Sequence, residues 1–196
     1  MADGIPASGA LTFQATRNGV RLGTHSLRFN RQDAALRVEI TISYAVSLGF
    51  ITAFRYALRA QEIWADGQLM SFQCTTDNNG RQEYARGRRE GETLVVEGTK
   101  ARSYEAPAGT ILCTHWNKAQ LEGPSVNPQD GSLLTFATSS LGRAVVADSA
   151  GVKHACERFR MDGKNAIDLW YDDQGVWLAL QAKAEDGSNI VYTRQG

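Results

Sequence analysis

The sequence predicts an all-β fold. The expected form is a curved antiparallel sheet making a half-barrel or barrel (a calyx) of about ten to twelve strands with little helix. Three observations carry this. Apolar and polar residues alternate with a period of two over long stretches, turn signals recur at short intervals, and no segment shows a convincing amphipathic-helix period. The length, 196 residues, suits one domain with one sizeable core.

Residues 1–9 form a short polar lead, expected to be disordered or appended ahead of the mature start, and the single β domain runs over 10–196. The lead has neither a basic stretch nor an apolar one, so no signal peptide is read there. The longest alternation follows. Leu36, Val38, Ile40, Ile42, Tyr44, Val46 and Leu48 share one parity, against Arg37, Glu39, Thr41, Ser43 and Ser47 on the other. That pattern is a strand with one dry and one wet face. After Gly49 it resumes with Phe50, Phe54, Tyr56 and Leu58.

Turns are expected at Ala65-Asp66-Gly67, Asp77-Asn78-Asn79-Gly80, Arg89-Glu90-Gly91, Asp162-Gly163, Asp172-Asp173-Gln174-Gly175 and Asp186-Gly187. Asn, Asp and Gly tolerate the positive φ that tight hairpins need. Strands are expected between them at 68–76, 81–88, 92–99, 110–117, 132–138, 143–148, 152–161, 166–172, 176–183 and 189–194. The nearest approach to a helix, 117–122, is too short to stand alone. The stretch 119–131, with Pro124 and Pro128 and no periodicity, reads as a long loop, a lid or a crossover.

Composition excludes several functions. Twenty-one basic residues balance 21 acidic ones, and the pI is 6.8, which argues against nucleic acid and against a polybasic membrane surface. No apolar run is long enough for a transmembrane helix. Cys74, Cys113 and Cys156 are odd in number and widely spaced, so they read as small buried side chains, with at most one pair able to bridge. No nucleophile elbow, phosphate loop or dinucleotide fingerprint is present. Cys113 and His115 lack a supporting ligand pattern, and neither a metal nor a cofactor is expected.

Glu62 continues the parity of Phe54, Tyr56 and Leu58 and is followed on it by Trp64. An unbroken strand therefore points it into the apolar interior, where a carboxyl either finds a partner, such as an arginine, or takes up a proton. Such a group can serve as an acid or base. In Thr114-His115-Trp116-Asn117 a strand places His115 and Asn117 on one face and Thr114 and Trp116 on the other. His25 shares a face with Leu27 and Phe29. Trp170 and Trp177 flank a tight turn and suit a cross-strand pair. His25, Tyr44, Phe54, Tyr56, Glu62, Trp64, His115, Trp116, Asn117, Trp170 and Tyr171 form the candidate ligand-lining set, and Glu62 and His115 are the catalytic candidates if the protein is an enzyme.

The segments Arg17-Asn18-Gly19 to Gly23-Thr24-His25, Glu62 to Leu69, Thr75 to Gly80, Thr114 to Asn117, and Leu169 to Asp172 with Gly175-Val176-Trp177 resemble an uncharacterised, usually exported, proteobacterial family of unknown function. That family is distantly similar to half-barrel lipoprotein-localisation (LolA/LolB-like) carriers. The resemblance implies a periplasmic or otherwise exported protein with a sheltered apolar cavity, and it carries over no catalytic residue. The family pattern often has tyrosine where this chain has His115. The alternative location is the cytoplasm.

Three functions fit. The first is non-catalytic binding of a hydrophobic small molecule or lipid in the calyx. The second is a cofactor-independent acid/base isomerase, cyclase or lyase acting on an apolar substrate in the same cavity. The third is a structural envelope module with a filled core and no ligand.

Overall fold

The computed structural model describes residues 4–48, 51–163 and 165–196, so Gly49 and Phe50 lie outside the described residues. Alternation builds a meander of eight strands: β1 (Ala10–Arg17), β2 (Val20–Gln32), β3 (Ala35–Leu48), β4 (Ile51–Ala65), β5 (Gln68–Asn78), β6 (Arg81–Glu90), β7 (Thr93–Gly98) and β8 (Tyr104–Ala106). Tight turns join them. Asp66-Gly67 and Asn79-Gly80 both hold positive φ at two successive residues, which matches the right-handed twist of the flanking strands.

A second meander comprises β12 (Ala137–Ala147), β13 (Lys153–Asp162), β14 (Ile167–Tyr171), β15 (Trp177–Lys183) and β16 (Asn189–Arg194). β16 pairs antiparallel with β1, and this one ladder fuses the two meanders into a 13-stranded sheet running from β12 to β8. The sheet curls so that Leu11, Phe13, Leu27, Val38, Ile40, Leu58, Phe72 and Val96 share one buried core. Among the described residues the regular helix is a single 3-10 turn, Lys118–Leu121.

The chain between β8 and β12 behaves differently from the expectation. A strand over 110–117 is not found. β9 (Ile111–Leu112) is two residues long, and the chain then turns, with Thr114 N donating to Leu112 O. With β10 (Ser125–Val126) and β11 (Leu133–Leu134) it makes a small separate sheet. The loop expected over 119–131 is thus part of a crossing segment whose Ile111, Leu112, Trp116 and Val126 enter the main core. Gly98 permits the close approach: a Cβ there would lie 2.3 Å from the Asp130 carbonyl oxygen. Tyr104 Oη donates to Gly131 O at 3.0 Å, and Gln129 Nε2 donates to Glu83 at 2.6 Å. Tertiary contacts, not strand propensity, hold this segment.

One further expectation changes. Trp170 and Trp177 do not pair, because a bulge between Trp170 and Tyr171 sets Tyr171 opposite Trp177 and Trp170 opposite Ala179. The lead over 1–9 lies partly within the described residues. There Gly4 N donates to Gln174 O at 3.0 Å and Ile5 packs on the core.

Candidate functional site

Strand register lays the inner-face residues in rows across the concave surface. A lower row runs Phe29, Val38, Glu62, Phe72. A middle row runs Phe13, His25, Ile42, Leu58, Thr76. An upper row runs Tyr192, Ala15, Gly23, Tyr44, Tyr56. Parity alone placed Glu62, His25, Tyr44 and Tyr56 on this face; the crossing segment decides what each one meets.

In the lower row Glu62 is 0% exposed. One carboxyl oxygen accepts from Thr114 Oγ1 at 2.6 Å, and the other accepts from Trp64 Nε1 at 2.7 Å and Trp116 Nε1 at 3.1 Å. The arginine expected as a structural partner is not there; two indoles and a hydroxyl take its place. Burial pushes the Glu62 carboxyl up to about 7, and the three donors restrain that rise. Trp116 packs edge-on against Phe29 and Trp64. This carboxyl latches the crossing segment to β4.

The 113–117 stretch is not extended, and only half of the expected sharing of faces is found: Thr114 and Trp116 keep a common side, whereas His115 and Asn117 part. Thr114 and Trp116 both reach Glu62, while Asn117 caps the 3-10 turn, its side chain accepting from Ala119 N. His115 sits at φ +69, a left-handed conformation that costs a non-glycine residue about 1 kcal/mol or more. The conformation is clamped: His115 N donates to Gln120 Oε1, Gln120 Nε2 donates to Tyr171 Oη, and Tyr171 Oη donates to His115 O.

That clamp presents the imidazole toward the middle row. Trp177 packs against both histidines, its ring centroid 5.3 Å from that of His25 and 5.5 Å from that of His115. Phe13 and Tyr192 complete the surround of His25. His25 is 2% exposed, and neither of its ring nitrogens has a hydrogen-bond partner; Nδ1 of His115 also lacks one. An unsatisfied buried polar group costs about 1–3 kcal/mol. Burial, reinforced by the neighbouring His115, drives His25 down to about 3, and burial takes His115 to about 4 despite Gln120, so both rings are neutral.

In the upper row Ala15 and Gly23 carry little or no side chain between two tyrosines. A Cβ on Gly23 would lie 1.9 Å from Ser43 O, so the position admits nothing larger. Tyr44 and Tyr192 meet hydroxyl to hydroxyl across this gap, and Tyr44 stacks on Tyr56 at 5.9 Å. Burial first, then the mutual contact, raises the Tyr44 phenol; burial takes Tyr192 up to about 12. Along β3 and β4 the cover thins from bottom to top. Val38, Ile40, Leu58 and Trp64 are buried, whereas Ile42, Tyr44, Val46, Phe54 and Tyr56 are half-buried.

Trp170 is the one lining candidate on the opposite face. It packs with Cys156 and Leu178, and the Arg158 guanidinium stands 5.0 Å from its ring centre. Arg158 and Arg160 both bind Asp168 there. Sequence reasoning missed Tyr192, Phe13 and Trp177 as lining residues and Thr114 as a partner of Glu62. Parity in β1 and β16 would have found the first two; nothing local announces the others. All three cysteines are free and buried. Among the described residues no group of three or more His, Cys, Asp or Glu is arranged to hold a metal. Among the same described residues no helix is long and apolar enough to cross a membrane.

Comparison with known proteins agrees with this architecture. A crystal structure of a β-barrel-like protein of the domain of unknown function DUF1849, from Brucella abortus, superposes with a TM-score of 0.65 at 10% identity, covering 94% of each chain. At that identity the likeness shows the fold alone. No curated protein matches. Residues 13–195 match the profile of a domain of unknown function, DUF6134, and the chain therefore belongs to that family.

Proposed function

We propose that this protein binds a hydrophobic small molecule or lipid chain, without catalysis, in the upper part of its concave face. The observation that carries this reading is the change of cover along β3 and β4. The same dry face that the crossing segment seals at Val38 and Glu62 is left half-covered at Ile42, Tyr44, Val46, Phe54 and Tyr56. Concave apolar surface with a few placed polar groups suits such a ligand. The acid/base reading is less well supported, because Glu62 is fully enclosed and its oxygens are already engaged by three donors. The resemblance to exported lipoprotein-localisation carriers leads the same way, and an exported location belongs to the same proposal. Fractionating the native host tests the location.

Binding is tested by titrating the folded protein with the apolar fluorophore N-phenyl-1-naphthylamine. Saturable binding is expected, weakened tenfold or more by Val46→Asp, which sets a charge on the half-covered face. Glu62→Gln is expected to leave the affinity within about threefold. Absence of saturable binding by folded wild-type protein overturns the reading and favours a filled structural module.

A further inference from the structure

The two terminal strands of the 13-stranded sheet are β12 and β8. β8 is three residues long. β12 is eleven, and it lies open: Val145 is 64% exposed, and Arg143 and Ala147, which share its face, are exposed as well. Edge strands that stay single are blunted by charge, proline, a bulge or a cover. β12 has one charged residue, Arg143, and no proline. Its bulge, between Ser140 and Gly142, interrupts only the first half. The second half, 143–147, is a regular and mostly uncharged strand with one side unpaired.

Hydrogen-bond alternation identifies the free backbone groups. Asp148 N donates to Val152 O at 3.0 Å, and Cys156 Sγ donates to Ala144 O at 3.3 Å, so the polar groups of the even-numbered residues turn toward β13. Register sets Val146 opposite His154 and Val145 opposite Ala155. Antiparallel pairs alternate between bonded and non-bonded. The N–H and C=O of Arg143, Val145 and Ala147 therefore point away from the sheet.

We propose that 143–147 pairs antiparallel with the same segment of a second copy of this chain, about a twofold axis at Val145, so that two sheets become one. Symmetry fixes the register. Val145 meets its own counterpart, Arg143 meets the partner's Ala147, and Ala144 meets the partner's Val146. Each outward N–H and C=O of Arg143, Val145 and Ala147 then has a partner. The segment also complements itself in charge. Arg143 is held by Asp173 at 2.6 Å and stands opposite Glu157 within its own sheet, and across the axis it meets an alanine. A parallel pairing in register would instead set arginine against arginine, which is unfavourable. The Val145 pair covers the most exposed large apolar side chain of β12 and β13. The assembly stops at two, because pairing the long edge leaves only the three-residue β8 at either end. Such an interface is isologous and closed rather than fibrous. One strand ladder is smaller than the roughly 1,200 Å² at which stable complexes begin, so the dimer is reversible, with a Kd in the micromolar range. This inference is independent of the ligand reading above.

Sedimentation velocity of the full chain tests it. A monomer–dimer equilibrium is expected. Val145→Lys sets two ammonium groups against each other at an exposed position and should weaken dimerisation tenfold or more. Val145→Pro removes an outward N–H while leaving the β13 ladder intact, and should do the same. Cysteine bridging reads the register, since the three native cysteines are buried. Val145→Cys should cross-link on mild oxidation, because bonded pairs of an antiparallel ladder place Cα atoms about 5.5 Å apart, within reach of a disulfide. Ala147→Cys alone should not cross-link, but should do so when mixed with Arg143→Cys. Val152→Cys, also exposed but off the axis, is the control and should stay unlinked. A monomer at every concentration up to about 1 mM overturns the proposal. A dimer that neither Val145→Lys nor Val145→Pro weakens overturns the edge assignment. Equal cross-linking of Val145→Cys and Val152→Cys, or none at Val145→Cys in a dimeric protein, overturns the twofold register.

Discussion

The lower and upper halves of the concave face come from the same strands, yet they solve opposite problems. In the lower half the crossing segment supplies Trp116 and Thr114, and every polar atom of the Glu62 carboxyl is engaged. Above it, in the middle row, His25 keeps both ring nitrogens and His115 its Nδ1 without hydrogen-bond partners, and toward the top the apolar residues are half-covered. A carboxyl with a full set of donors is a structural latch. An imidazole with none is either a defect or a receptor. The difference teaches that burial alone does not identify a functional group; what matters is whether the fold has already satisfied it.

The sharpest way to break the contrast is Trp116→Ala. It removes a fully buried indole and one donor to Glu62, so unfolding in urea should show a loss of about 3–5 kcal/mol with an unchanged slope. A loss under about 1 kcal/mol would mean that the crossing segment is not part of the core.

Glu62→Gln tests the latch from the electrostatic side. The Glu62 pKa is raised on folding to about 7, so its protonated form is favoured by the native state. That contribution is fully present below the unfolded carboxyl range, near pH 4.5, and is lost as pH rises to about 7. The histidines act in the opposite sense. Their lowered pKa values, about 3 and 4, give stability present above about pH 6.5 that is lost as pH falls toward those values. Comparing variant with wild type at each pH cancels the histidines. Gln can accept from both indoles and donate to Thr114 Oγ1, whose own proton can turn to Leu112 O, 3.5 Å away. The variant should therefore gain about 3 kcal/mol on wild type between pH 4.5 and pH 8. A pH-independent difference would show that the carboxyl is ionised throughout.

The smallest effect is expected in the upper half. Tyr44→Phe breaks one hydroxyl contact with Tyr192 at a half-buried position, so thermal unfolding should report about 1 kcal/mol or less. A loss near that of Trp116→Ala would place the tyrosine row among the determinants of the fold and remove the contrast.

How much was legible depends on the distance over which each feature is decided. The alternation over 36–46 and the turn pairs Asp66-Gly67 and Asn79-Gly80 are local, and they are found as read. The inward direction of Glu62 and His25 follows from parity, which is also local. The stretch 110–117 reads as a strand because its apolar residues suit one, and it fails because its contacts come from β4, β14 and β15. The expected pairing of Trp170 with Trp177 fails through one bulge, which moves the register by a single residue and sends the two indoles to opposite faces.

The sequence by itself therefore determined the all-β class, most of the strands, the turns, and which face of each strand is dry. It did so because side-chain alternation and positive-φ turns act over two to four residues. Tertiary structure decided the rest: that β16 pairs with β1 to join the meanders, that the crossing segment fills the lower half, and that Thr114 rather than an arginine meets Glu62. Those outcomes rest on partners far apart in the chain, which only the closed packing of the curved sheet brings within hydrogen-bonding distance.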